Sequence, residues 1–172
     1  MPNHYVYLIS SLPMLNFGQE PPFSFETLLL KCAELIPQQD WEILKGLSQG
    51  DIGSQKQTTL KKWLGFEMML KNELVRARSL RHKVDPAKYL RPDGYAGQSF
   101  YHAATAACKS PSLLEGEKIL DIARWNYLDE LSFSHYFDLD LLIIYALKLL
   151  ILERWERINS ADKEKLLNEA LS

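Results

Sequence analysis

Catalytic and cofactor motifs are missing from this chain of 172 residues. There is no Walker A sequence and no G-x-G-x-x-G. Gly46, Gly50 and Gly53 lie in a polar stretch that follows no strand, so they offer no phosphate cradle. No serine sits in a G-x-S-x-G setting. His4, His82, His102 and His135 fall in no H-E-x-x-H or comparable ligand spacing, and the partners that acid–base or metal work requires are not visible around them. Cysteine is scarce. Cys32 and Cys108 lie too far apart for a metal spacing or a disulfide framework, and read as reduced, half-buried thiols of a cytosolic protein. Charge of one sign is lacking too. A net charge of −2 and a pI near 6.1 give no global field for nucleic acid or an anionic membrane.

A long apolar run is also absent. Leu139 to Leu152 is the strongest, but Asp140 and Lys148 break it and it falls short of the roughly 20 residues that cross a bilayer. The opening MPNHYVYLISSLPML lacks a Lys or Arg n-region and an A-x-A-like site, and a proline interrupts it, so it does not read as a signal peptide. No stretch shows a sustained strand pattern. The expectation is a cytoplasmic protein that is not an enzyme and holds no cofactor or metal.

What is present is ordinary for a globular fold. Apolar residues make up 47% and charged residues 24%, and the length suits one domain over residues 1–172. Tyr5, Leu8, Ile9 and Leu12 follow the i, i+3, i+4, i+7 pattern of a helix stopped by Pro13, although the alternation Tyr5, Tyr7, Ile9 also suits a short strand. Ser24 can cap a helix to about Ile36 with Glu26 in its first turn. Pro37 interrupts, and a short helix follows through Trp41, Leu44 and Leu47. Ser48 to Thr59 reads as a mobile loop. Trp63, Phe66, Leu70, Leu74, Ala77, Leu80 and Val84 form a stripe on a helix to about Lys83. Pro86 opens a short turn of helix, and Arg91 to Gln98 is a loop. Helices over Ser99 to Cys108 and Ser112 to about Leu131 come next. A central helix from Asp138 and a separate short terminal helix, NSADKEKLLNEALS, complete the chain. The four tryptophans each fit a helical apolar position.

The class is therefore all-α, with about seven to nine helices in an orthogonal or bundled arrangement by their apolar periodicity. The central helix DLDLLIIYALKLLILERWERI is apolar almost all round, so it is expected at the centre, buried on every side. The charges Glu153, Arg154, Glu156 and Arg157 carry the chain out to solvent.

Charge is unevenly spread. Between Lys56 and Arg91, ten Lys and Arg face three carboxylates, a balance of +7 that leaves −9 for the remainder. A basic helical arm over residues 56–91 on an acidic body suits docking to an acidic partner. A solvated helix face is the plainer alternative. At 100° per residue, Lys71 and Arg78 share one flank of the stripe and Arg76 and Lys83 the other. These four are the candidate partner-binding residues. Arg81 falls near the stripe itself, where it either snorkels or pairs with a carboxylate. Asp138 and Asp140 point in different directions if helical, and Asp138 fits the start of the central helix.

Two segments look alike. Leu74 to Leu90 is a helix end with Arg81, a short linker and a short helix closing on Leu90. Leu150 to Leu166 repeats that layout with Arg157 and Leu166 at matching offsets. This layout, and the ending YALKLLILERWERINSADKEKLLNEAL, resembles the repeating unit of the C-type subunits of V/A-type ATPases, the family that includes the eukaryotic d-type subunits. The opening, with Tyr5 and Tyr7, SSLPML, Phe17–Gly18, Pro21–Pro22 and Ser24, resembles a small bacterial family of uncharacterised proteins encoded among V-type ATPase genes.

The resemblance implies a non-catalytic subunit or accessory protein in ion or proton transport. Such a part connects the central rotor shaft to the membrane rotor ring and is held peripherally at the membrane by the complex. The C-type subunits are roughly twice as long as this chain, so a complete funnel is not expected. A stand-alone helical regulatory or binding module unrelated to the ATPase is the alternative, and an enzyme using His102 or His135 with nearby carboxylates is the third reading.

Overall fold

The computed structural model describes residues 5–50, 57–92 and 100–171, with side chains as far as residue 162. Among these residues the regular structure is entirely helical: α1 Tyr5–Ser11, α2 Phe25–Ala33, α3 Gln38–Gln49, α4 Thr58–His82, α5 Tyr101–Lys109, α6 Leu113–Ser132 and α7 Leu139–Leu171, with a 3-10 turn at Pro86–Lys88. The all-α class and the helix number match the reading of the sequence. The chain divides into two compact units. Unit 1 is Met1–Asp51 with Leu131–Ser172, and unit 2 is Ile52–Glu130.

Local signals account for most of the boundaries. Ser24 caps α2 by accepting the Thr27 N–H. That helix ends at Ala33 rather than near Ile36, because Ile36 precedes Pro37 and a residue before proline is pushed out of helical geometry. α3 runs through Gln49 to Gly50, which caps it in the left-handed conformation at φ 73. The loop expected over Ser48–Thr59 is thus shorter. Ser48 and Gln49 are helical, Gln57 caps α4 by accepting the Leu60 N–H at 2.8 Å, and residues 51–56 lie outside the described ones. Of the expected Arg91–Gln98 loop, only its first two residues are described.

The largest correction is in α7. Its 33 residues form one unbroken helix, so no separate terminal helix begins at Asn159. Nothing in Asn159–Ser160–Ala161 stops a helix: there is no proline to remove a hydrogen bond and no glycine to turn the chain. Leu150 to Leu166 therefore does not repeat the layout of Leu74 to Leu90, which does break after His82 and resume in the 3-10 turn.

In unit 1, α2 and α3 pack on α7. Leu142, Ile143, Ala146 and Leu149 are fully buried, and no residue from Leu139 to Trp155 is exposed, as an all-round apolar helix requires. Polar groups fasten the other segments to it. The Phe25 N–H at the start of α2 donates to Glu153 Oε1 at 2.6 Å. Tyr145 donates to the Pro13 carbonyl at 3.0 Å, with Phe23 stacked on its ring. The exit to solvent accordingly begins at Glu156 and not at Glu153, whose carboxylate neutralises an N–H at the positive end of α2. Tyr5 of α1 donates to Asp40 Oδ2 at 2.6 Å. Burial and that bond raise its pKa well above the ordinary phenol value. Burial likewise pushes the Cys32 thiol up to about 11, which leaves it protonated and inert at neutral pH.

In unit 2, Trp63 and Phe66 of α4 meet Tyr127 of α6. Phe66 and Tyr127 lie face to face at 4.1 Å between centroids, and Phe100 stands edge-on to Phe66 at 5.1 Å. The Tyr127 hydroxyl donates to the Lys62 carbonyl. Only the first half of the expected α4 stripe is core. Leu60, Trp63, Phe66 and Leu70 are buried, whereas Leu80 is 76% exposed and Val84 46%. The same periodicity therefore has two destinations, a packed half and an uncovered half.

Candidate functional site

The second half of α4 carries the chemistry that remains after the core is accounted for. Lys71, Arg76, Arg78 and Lys83 are all exposed. Arg76 is committed to Glu73 at 2.7 Å. Among the described residues no carboxylate lies within ion-pair distance of Lys71, Arg78 or Lys83. Lys83 is not a helical residue but the cap of α4, in the left-handed conformation at φ 55, with its N–H on the Ser79 carbonyl. The seven-residue spacing from Arg76 thus ends one residue short of it, and Lys83 does not continue that flank. Arg81 neither snorkels nor finds a carboxylate: it donates to the Cys108 carbonyl at 3.2 Å. A cation there completes an acceptor at the negative end of α5.

Past the 3-10 turn the chain is tied back to α4 by a side-chain amide. Asn72 Nδ2 donates to the Arg91 carbonyl at 2.7 Å, and the Arg91 N–H donates to Asn72 Oδ1 at 3.0 Å.

Arg78, Arg81 and His82 sit at i, i+3 and i+4, on one side of the helix end. Opposite them lie the Ser110–Ser112 connection and the start of α6, and together they line a solvent-open cavity of about 290 Å³ that also reaches Cys108 and Glu117. A wider groove of about 620 Å³ is lined by Leu80, Arg81, Tyr101, Thr105 and Lys109. Gly116 fixes one wall. A Cβ there would stand 2.9 Å from the Ala107 carbonyl oxygen, closer than backbone tolerates, so α5 and α6 approach as they do only because this position is glycine. Gly116→Ala is expected to destabilise the protein by about 1–3 kcal/mol through overpacking, seen as a lower urea midpoint. An unchanged midpoint would mean that α5 yields freely.

Two ionic clusters lie elsewhere in the fold, of which the first was not legible in the sequence. The first is Arg124, which reaches Glu67 Oε1 at 2.6 Å and Asp121 Oδ1 at 2.8 Å. Burial works against the Arg124 charge, but the bonds to Glu67 and Asp121 outweigh it and hold the guanidinium above its ordinary value. The second is in unit 1. His135 Nδ1 lies 2.7 Å from Asp138 Oδ2 and 4.0 Å from Asp140 Oδ2. Asp138 caps α7, with Oδ1 on the Leu141 N–H. Because a cap residue is not helical, the expected divergence of Asp138 and Asp140 does not hold, and both carboxylates face one imidazole. The three half-buried side chains offer ligand atoms within 4.8 Å of one another. Helix capping explains the arrangement without an ion. His135 and Tyr136 lie in the connection before α7, where Phe133 and Tyr136 are exposed and Ser134 takes φ 83. His102 is exposed on α5 beside Tyr101, and among the described residues no carboxylate bonds to it.

Among the described residues no helix is long and apolar enough to cross a membrane. A family model described as a protein of unknown function (DUF2764) matches residues 105–171, from within α5 to the end of α7. No curated protein matches the chain, and no solved structure matches it.

Proposed function

We propose that this chain is a non-catalytic helical connector that docks an acidic protein surface through α4, as a subunit or accessory protein of a V-type ATPase. The observation that carries the docking surface is the pairing state of α4: Lys71 and Arg78 share one flank of the helix and are exposed and free of carboxylates among the described residues. A solvated helix face is normally laced with i,i+4 partners. Among the described residues the flank of Lys71 and Arg78 has none, and an unpaired cationic flank of this kind suits an acidic partner surface. The ATPase assignment rests on the sequence resemblance of the opening of the chain, since the unbroken α7 removes the helix break on which the likeness of the ending depended. A connector that carries force needs stiff elements, and the 25 residues of α4 and the 33 of α7 are of that kind.

The test is a double charge reversal, Lys71→Glu with Arg78→Glu, which spares Arg76 and its partner. Both positions are exposed, so helicity and the melting midpoint are expected to stay at the wild-type level. Capture of the rotor-shaft or ring subunits from a native membrane extract is expected to fall about tenfold or more, as loss of complementary charge does at interfaces. Undiminished capture removes α4 as the docking face. A wild-type chain that captures only proteins outside the ATPase removes the assignment to that complex.

A further inference from the structure

We propose that the cavity at the end of α4 binds a small phosphate-bearing anion, either inorganic phosphate or a short phosphomonoester. Three cationic or ionisable groups, Arg78, Arg81 and His82, line it from one helix side, and the hydroxyl-bearing Ser110 and Ser112 line it from the other. Arg78 has no carboxylate partner among the described residues. Arg81 has given one N–H to the Cys108 carbonyl, which leaves the rest of its fork for a ligand. A planar guanidinium matches two phosphate oxygens at once. Ser112 precedes α6 and accepts the Gly116 N–H at its carbonyl, so the first turn of that 20-residue helix opens on the same rim and adds favourable N–H dipoles.

The opposing charge is limited. Glu117 is the carboxylate on the wall, and Glu115 nearby accepts the Ser110 hydroxyl at 3.3 Å. A volume of about 290 Å³ lies at the lower edge of ligand pockets, which favours a compact ligand over a nucleotide. The tight approach of α5 to Gly116 holds this wall in place before any ligand arrives.

This site is separate from docking in what it requires, because it needs no partner protein. It is tested by calorimetric titration of the full chain at neutral pH and constant ionic strength, with inorganic phosphate and glycerol 3-phosphate as probes. The wild type is expected to bind at least one of them saturably, and Arg78→Gln and Arg81→Gln each to weaken it about tenfold, the effect of one charge-assisted contact. Lys61→Gln removes an exposed cation of α4 outside the cavity and is expected to bind as the wild type does. Arg78 makes no ion pair among the described residues, so its variant keeps the fold; the ligand-free melting midpoint checks this. Tighter binding of the ester assigns a phosphomonoester, and binding of inorganic phosphate alone assigns the free ion. Absence of saturable heat with both probes overturns the proposal. So does equal binding by the Arg78 and Arg81 variants, or an equal loss in the Lys61 variant.

Discussion

Arg124→Met is expected to lower the stability of the protein by about 3–5 kcal/mol, the usual cost of removing one partner from a buried ionic group. Asp121 is fully buried and Glu67 largely so, and Arg124 is the cation both carboxylates bond. Methionine fills much of the same volume, so the loss reads the charge and not a cavity. The loss is measured by urea unfolding at neutral pH, and a small loss there would show that the triad contributes little. Replacing all three residues together with apolar ones is expected to cost less than Arg124→Met alone, because no charge is then left stranded.

Leu147→Asp is the second large effect. Leu147 is 5% exposed on α7, with Ile143, Ile144 and Ala146 buried around the same turns. An aspartate there places a charge among apolar side chains, and it removes a packed leucine in the same step. Burial of an unpaired charge and a leucine truncation each cost several kcal/mol, which together match the whole stability of a typical domain. The expected outcome is loss of the cooperative melt and of unit 1 helicity. A soluble variant with an unaltered midpoint would show that Leu147 is not part of a packed core. Leu147→Met conserves volume and is expected to cost less than about 1.5 kcal/mol.

How far the fold was legible depended on whether the signal was local. α1, α5 and α6 and the buried half of α4 follow from apolar spacing, and Ser24 and Pro37 mark real boundaries. The misreadings have one physical origin, the choice between local punctuation and continuation. Asn159–Ser160 resembles a helix start, yet no proline or glycine interrupts the chain there and α7 continues through it. Asp138 and Asp140 diverge on paper because helical geometry was applied to a residue that caps. Arg124 meets Glu67 across 57 residues, a distance at which spacing carries no information. The candidate site was half visible: the i, i+3, i+4 placement of Arg78, Arg81 and His82 is a sequence fact, whereas Ser110 and Ser112 face them only because the chain turns back between α5 and α6. The uncovered Leu80 was invisible for the same reason, since periodicity names a face and not what lies against it.

The division of the chain has a consequence for biosynthesis. Unit 2 is one contiguous stretch, whereas unit 1 joins Met1–Asp51 to Leu131–Ser172. The aromatic cluster of unit 2 is complete once residue 127 clears the ribosome. The first three helices, although made earliest, must wait unshielded for the hydrophobic surface of the last one. Nascent chains halted after residue 127 has left the exit tunnel, with α7 still inside it, should therefore hold a protease-resistant middle and a protease-sensitive beginning.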